Sequence, residues 1–188
     1  MMTSDEDPRW LERPLPAEWT VRRGLDRYLF ENGFTRAAYD ALWTRANVFG
    51  LRLRVPNTRA HRWALMRHDL HHVATGFGTD MAGEGEVSAW EAAAGLPHIG
   101  LYTQGLVRSL ALWGLLSEPT RTRAAWRASG GRNLFLDEIP YDHALAMTVG
   151  ALRQALRVPT EGLTGARALH RDAHRGEEGR SSSRTSRS

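Results

Sequence analysis

The sequence predicts an all-α domain, a compact bundle of about six or seven helices with at most one short strand pair. Three observations carry this. Apolar residues recur at three- and four-residue spacing through most of the chain between Glu18 and Val158. Gly, Pro and Asn punctuate those segments at helix-length intervals. Only Val48 to Val55 alternates, loosely, in the manner of a strand or an extended link.

Glu18 to Glu31 places Trp19, Val21, Leu25, Tyr28 and Leu29 at helical spacing, and Asn32-Gly33 closes it. Thr35 is a candidate cap for a second helix with Ala38, Tyr39, Leu42, Trp43 and Ala46 on one face. After Pro56, Asn57 or Thr58 caps a helix through Trp63, Leu65, Met66, His68, Leu70 and Val73, which Gly76 and Gly78 stop. Another begins near Met81 to Glu84 and runs to Ala94 before Gly95. Gly100 to Leu116 is expected to turn Leu101, Leu106, Leu110, Trp113 and Leu116 inward. Thr120 to Ala128 follows Glu118-Pro119, and Tyr141 to Val158 reads as one amphipathic helix ended by Pro159. The domain should span 17–160. An irregular, Pro-rich arm is expected at 1–16 and a disordered Arg/Ser-rich tail at 161–188.

Hydrophobic residues make up 41% of the 188, enough for a core. Cysteine is absent, which excludes disulfides and thiolate metal sites. The net charge is +4, and all 25 basic residues are Arg. The basic tail could touch phosphates, but a solvated tail is the simpler reading, and no nucleic-acid partner is expected. The start is acidic (Asp5, Glu6, Asp7) with no apolar run, so neither a secretory signal nor a mitochondrial presequence is expected. The apolar stretch Leu106 to Leu116 falls short of the ~20 residues that span a bilayer. The expected location is cytoplasmic, either soluble or peripherally bound at the inner membrane face.

Chemistry concentrates at Arg67-His68-Asp69-Leu70-His71-His72. His68 and His72 are four apart, so on a helix their Cβ atoms lie ~6 Å apart and both imidazoles can chelate one ion. Asp69 could be a ligand, a partner that fixes a His tautomer, or a base acting on metal-bound water. A further ligand must come from another element. Glu84 is the candidate: eleven residues separate it from His72, and the Gly-bearing loop between them permits a helix reversal. The expected ligand set is His68, Asp69, His72 and Glu84, with Asp69 and Glu84 also candidate catalytic groups. Such donors suit zinc, iron or manganese, which ligand type does not separate, and do not exclude magnesium. His71 lies about 100° round the helix from His72 and should stand outside the ligand set. Glu86 should face elsewhere. Asp80 could ligate, contact substrate or cap the helix at Glu84. His143 reads as a helix-start residue, and His61, His98, His170 and His174 show no supporting pattern.

The motif His-Asp-x-x-His, eleven residues, then Glu resembles the signature of the coenzyme Q biosynthesis protein four (Coq-four) family. His72-Val73-Ala74-Thr75-Gly76 and Gly83-Glu84 are similar too. Trp126, the acidic-Pro stretch at 137–140 and Leu156-Arg157-Val158-Pro159 agree in layout. The resemblance covers about Thr20 to Thr160, and the departure from mitochondrial members, an expected lack of presequence and a short Arg/Ser tail, favours a bacterial-type homologue. It implies a helical, commonly dimeric, membrane-associated protein of ubiquinone biosynthesis. It also implies zinc on His68, Asp69, His72 and Glu84, and other quinone-biosynthesis enzymes as partners. The implied activity is that of a metal-dependent lyase, removing the ring carboxylate of a polyprenylated aromatic oxidatively and leaving a hydroxyl.

An isoprenoid tail needs an apolar groove, for which Leu106, Leu110, Trp113, Leu145 and Val149 are candidates, as is Asp80 for the head group. Plain core packing is the alternative for the apolar five. Two rival functions remain: a non-catalytic lipid-binding scaffold with a structural metal, and an HD-type phosphohydrolase. The latter needs a further upstream His and a distant Asp.

Overall fold

The computed structural model describes residues 14–41, 43–48 and 51–164. Most of the expected arm and tail therefore lies outside the described residues. Where they are described, Leu15 packs against the core and Leu163 is buried in it, so the core reaches past 17 and 160.

The domain is all-α apart from one hairpin. Helix α1 (Val21–Glu31) starts at Thr20, whose hydroxyl accepts from the Arg23 N–H at 3.2 Å. Helix α2 (Arg59–Thr75) is capped by Thr58 and ends at Gly76, which takes the left-handed φ of 79° that glycine tolerates. Helix α3 (Met81–Ala94) follows, capped by Asp80. Then come α4 (Leu101–Ser117), α5 (Pro119–Arg127), α6 (Tyr141–Ala146) and α7 (Val149–Ala155). The main core gathers Leu25 and Leu29 from α1, Leu70 and Val73 from α2, Trp90 from α3, and Leu145, Val149 and Leu152 from α6 and α7. No helix among the described residues is long and apolar enough to cross a membrane.

Three expectations need correction. The helix expected from Thr35 to Ala46 is a short 3-10 turn, Arg36–Asp40, followed by strand β1 (Trp43–Val48). Asn57 explains the break: its amide donates to Tyr39 O at 2.7 Å and Ala41 O at 2.8 Å, carbonyls that a continuing helix would need. β1 pairs antiparallel with β2 (Leu51–Pro56), from Trp43 opposite Pro56 to Val48 opposite Leu51. The alternation at 48–55 was thus the hairpin's signal.

The single helix expected from Tyr141 to Val158 is α6 and α7 with an extended Met147-Thr148 between them. Residues at and just before the start of α1 capture that backbone: Val21 N–H donates to Met147 O at 2.9 Å and Val149 N–H to Trp19 O at 2.8 Å. Thr148 then caps α7 through the Ala151 N–H at 3.1 Å.

The inward face of α4 is Thr103, Val107 and Gly114. Leu101 is 85% exposed and Leu116 72%, Trp113 is also exposed, and Leu106 and Leu110 are half-buried. The cause is a close helix crossing: a Cβ on Gly85 of α3 would come within 2.7 Å of Gly114 Cα. Apolar periodicity gives no weight to such small-residue contacts.

Candidate metal centre

Helix α2 carries His68 and His72 on one face, one turn apart, with ring centroids at 4.8 Å. The chain then reverses tightly. Gly83 must be glycine there, because a Cβ would lie 2.1 Å from Gly78 O. Asp80 Oδ1 accepts the Gly83 N–H at 2.8 Å, so Asp80 serves as the cap of α3. Glu84 then falls in the first turn of α3, where the helix dipole favours a carboxylate.

The reversal brings three ligand atoms together. His68 Nε2 lies 3.2 Å from His72 Nε2 and 3.2 Å from Glu84 Oε2, and His72 Nε2 lies 3.5 Å from Glu84 Oε1. Hydrogen bonds on the far side of each ring assign the tautomers. His72 Nδ1 donates to Phe77 O at 2.9 Å, since a carbonyl can only accept. His68 Nδ1 sits 2.8 Å from the carboxylate of Glu91, also an acceptor. Both Nε2 lone pairs therefore point at each other and at Glu84. Three acceptors cannot face one another without a shared proton or a metal ion among them. The spacing fits the metal: bonds of ~2.0–2.1 Å in a tetrahedron give ligand–ligand edges of ~3.3–3.4 Å. His68, His72 and Glu84 form a group that could hold a metal ion.

The electrostatics agree. Burial alone would lower the His68 pKa, but Glu91 and Glu84 reverse this and hold it well above its ordinary 6.5. Burial alone would raise Glu84, yet His72 and His68 hold its carboxyl well below the usual range. The pocket is polarised for positive charge.

No protein-family model, curated protein or solved structure matches the chain. Its chemistry must be argued from these side chains.

Asp69 is not brought into the triad. Its buried carboxylate accepts from the Tyr39 hydroxyl at Oδ2 and from the Tyr28 hydroxyl at Oδ1, 3.4 Å away. Burial pushes the Asp69 carboxyl up, with His68 opposing, and pushes both phenols well above their ordinary value. The Tyr28 ring stacks on His72 with centroids 5.3 Å apart. Asp69 thus stands beside the centre, holding the phenol that covers one ligand.

His71 stands outside the triad. Its Nε2 accepts the Leu134 N–H at 2.9 Å and its Nδ1 donates to Glu91 at 2.6 Å. Glu86 faces away and pairs with Arg121 at 2.9 Å. His61 Nδ1 meets Thr103 Oγ1 at 3.5 Å, outside the triad, so it gives no upstream ligand of the phosphohydrolase kind. The candidate apolar groove residues are not brought together. Leu145 and Val149 belong to the main core, and Leu106, Leu110 and Trp113 of α4 do not contribute to it.

Sequence reasoning missed Glu91, Tyr28 and Tyr39 as site residues. Glu91 had a legible signal, because it lies two turns after Glu84 on the same face of α3. The tyrosines had none, since both sit at positions an apolar core also explains.

Proposed function

We propose that the protein is a zinc protein of the Coq-four type, acting in ubiquinone biosynthesis on the carboxylated ring of a polyprenylated phenol. The observation that carries the metal reading is the facing of three acceptor atoms at tetrahedral spacing, with both imidazoles held in the Nδ1–H tautomer. The pathway rests on the resemblance around His68, Asp69, His72 and Glu84.

Three protein ligands leave a fourth position, the pattern of catalytic rather than structural zinc. The side chains of His68 and Glu84 keep 16% and 23% exposure, so that position is reachable from outside. A bound ion would act there as a Lewis acid toward a phenolate-carboxylate head group. Glu84 is committed to the ion. Asp69, its carboxyl pushed up by burial, is the group left to hold a proton beside it. Net, the ring exchanges its carboxylate for a hydroxyl. Carbon dioxide leaves, and an external oxidant supplies one oxygen atom. The protein would work in the cytoplasm at the membrane face, as a homodimer alongside other quinone-biosynthesis enzymes.

One feature favours the scaffold reading. A groove of about 500 Å³ between α3, α4 and α5 is lined by Ala89, Ala92, Ala111, Leu112, Leu115 and Trp126 together with Thr122, Arg108 and Arg123, and no residue of the triad lines it. It suits an apolar chain bound away from the metal.

The test replaces His72 by Ala in the host and measures quinones and their precursors. Loss of quinone with accumulation of the carboxylated precursor supports the catalytic reading. Normal quinone in a strain whose protein has lost its metal would sink it.

A further inference from the structure

Glu91 is fully buried, and a single oxygen, Oε1, takes hydrogen bonds from both His68 Nδ1 at 2.8 Å and His71 Nδ1 at 2.6 Å. Its Oε2 has no hydrogen-bond partner among the described residues. A buried carboxylate held only by neutral donors is costly, so this one needs a positive charge close by. His71 cannot supply it. Its Nε2 accepts the Leu134 N–H and must keep its lone pair. Its ring is also wedged between Trp90 and Phe135, with centroids at 5.2 and 4.9 Å. His71 therefore fixes the Glu91 carboxylate without neutralising it. The charge must arrive through the other imidazole, His68, whose Nε2 faces His72 and Glu84.

We propose that Glu91 is the positioning residue of the metal centre, locking His68 with its Nε2 toward the ion and supplying the second negative charge that balances a divalent cation. Glu84 contributes one negative charge directly and Glu91 the other through the His68 ring, and together the two match the charge of a divalent ion. Without Glu91 the largely buried site would carry a net positive charge, and His68 would be free to flip or change tautomer. Carboxylates behind ligating imidazoles act in this way. The inference rests on the metal reading above.

The experiment uses the full chain and zinc alone, with affinity measured by competition against a chelating dye. Glu91→Gln keeps the size and one acceptor oxygen while removing the charge. The expected result is zinc affinity weaker by about 10–100-fold, and an affinity within about threefold of wild type overturns the proposal. A merely structural role would lower thermal stability without moving the affinity of the folded variant. Should Glu91→Gln fail to fold, ring nitrogen NMR of the zinc-loaded wild type decides. His68 protonated at Nδ1 and metallated at Nε2 supports the proposal, and the reverse overturns it. If wild type binds no zinc, the metal reading falls and Glu91's role with it. Tight zinc binding that Glu91→Gln leaves unchanged removes only the role of Glu91.

Discussion

A proton and a bound metal ion would compete for the same lone pair on His68. In the metal-free protein Glu91 and Glu84 overcome the effect of burial and keep that proton bound above pH 6.5, the ordinary histidine value. A group whose folded pKa is raised stabilises the fold below its unfolded pKa and loses that contribution as pH rises through the folded value. The metal-free protein should therefore lose stability on the alkaline side of 6.5. Zinc must displace the same proton, so apparent affinity should strengthen by about tenfold per pH unit up to the raised pKa. Titration across this range checks the point: an affinity that stops rising at or below 6.5 contradicts it. The ligands themselves give a second prediction. His68→Ala, His72→Ala and Glu84→Ala should each weaken zinc by at least the roughly 10–100-fold that losing an outer partner costs. Asp69→Asn should leave zinc affinity close to wild type, because Asp69 meets the phenols of Tyr28 and Tyr39. Equilibrium dialysis of the four variants separates these outcomes.

At the scale of elements, the crossing of α3 over α4 depends on Gly85 and Gly114. A methyl on Gly85 meets backbone at 2.7 Å, whereas one on Gly105 of the same α4 meets nothing within 4 Å. Gly85→Ala should therefore destabilise by about 1–3 kcal/mol through overpacking. Gly105→Ala should stabilise by roughly 0.5–1 kcal/mol, because alanine suits a helix interior better. Chemical denaturation of both variants checks the signs. These elements also explain what was legible in the sequence. α2 and α3 announce themselves through Thr58, Gly76, Asp80 and Gly95, because caps act within a few residues and leave a local trace. The inward face of α4 was misread because a glycine contact buries backbone without an apolar side chain. The β1 strand and the break at Thr148 were missed because the deciding partners, Asn57 and residues 17–20, are distant in sequence. The pair His68 and His72 and the spacing to Glu84 were readable for the same local reason as the caps. The displacement of Asp69 to Tyr28 and Tyr39 was not, because it depends on how α1 and the 3-10 turn dock on α2.

Across the whole molecule, the centre lies where two helices already meet: Glu91 of α3 bonds His68 and His71 of α2, and Trp90 shares the main core with Leu70 and Val73. The C-terminal end of α2 is held from α7 by the buried Arg153, whose Nε donates to Ala74 O at 2.8 Å. α3 is held on its other side by α4 and α5. A metal held by His68, His72 and Glu84 would add a further tie between α2 and α3, and it would bind only the folded chain. Free zinc at about 100 times Kd should then raise stability by about 2.7 kcal/mol, and chelation should remove that gain. Thermal unfolding with and without chelator reads it directly.

The most direct test of the account is the metal content of the purified full chain, measured together with that of His72→Ala. Wild type should carry one divalent ion per chain and a folded His72→Ala variant essentially none. A wild-type chain that stays metal-free in excess zinc, or a variant that retains its ion, would contradict it.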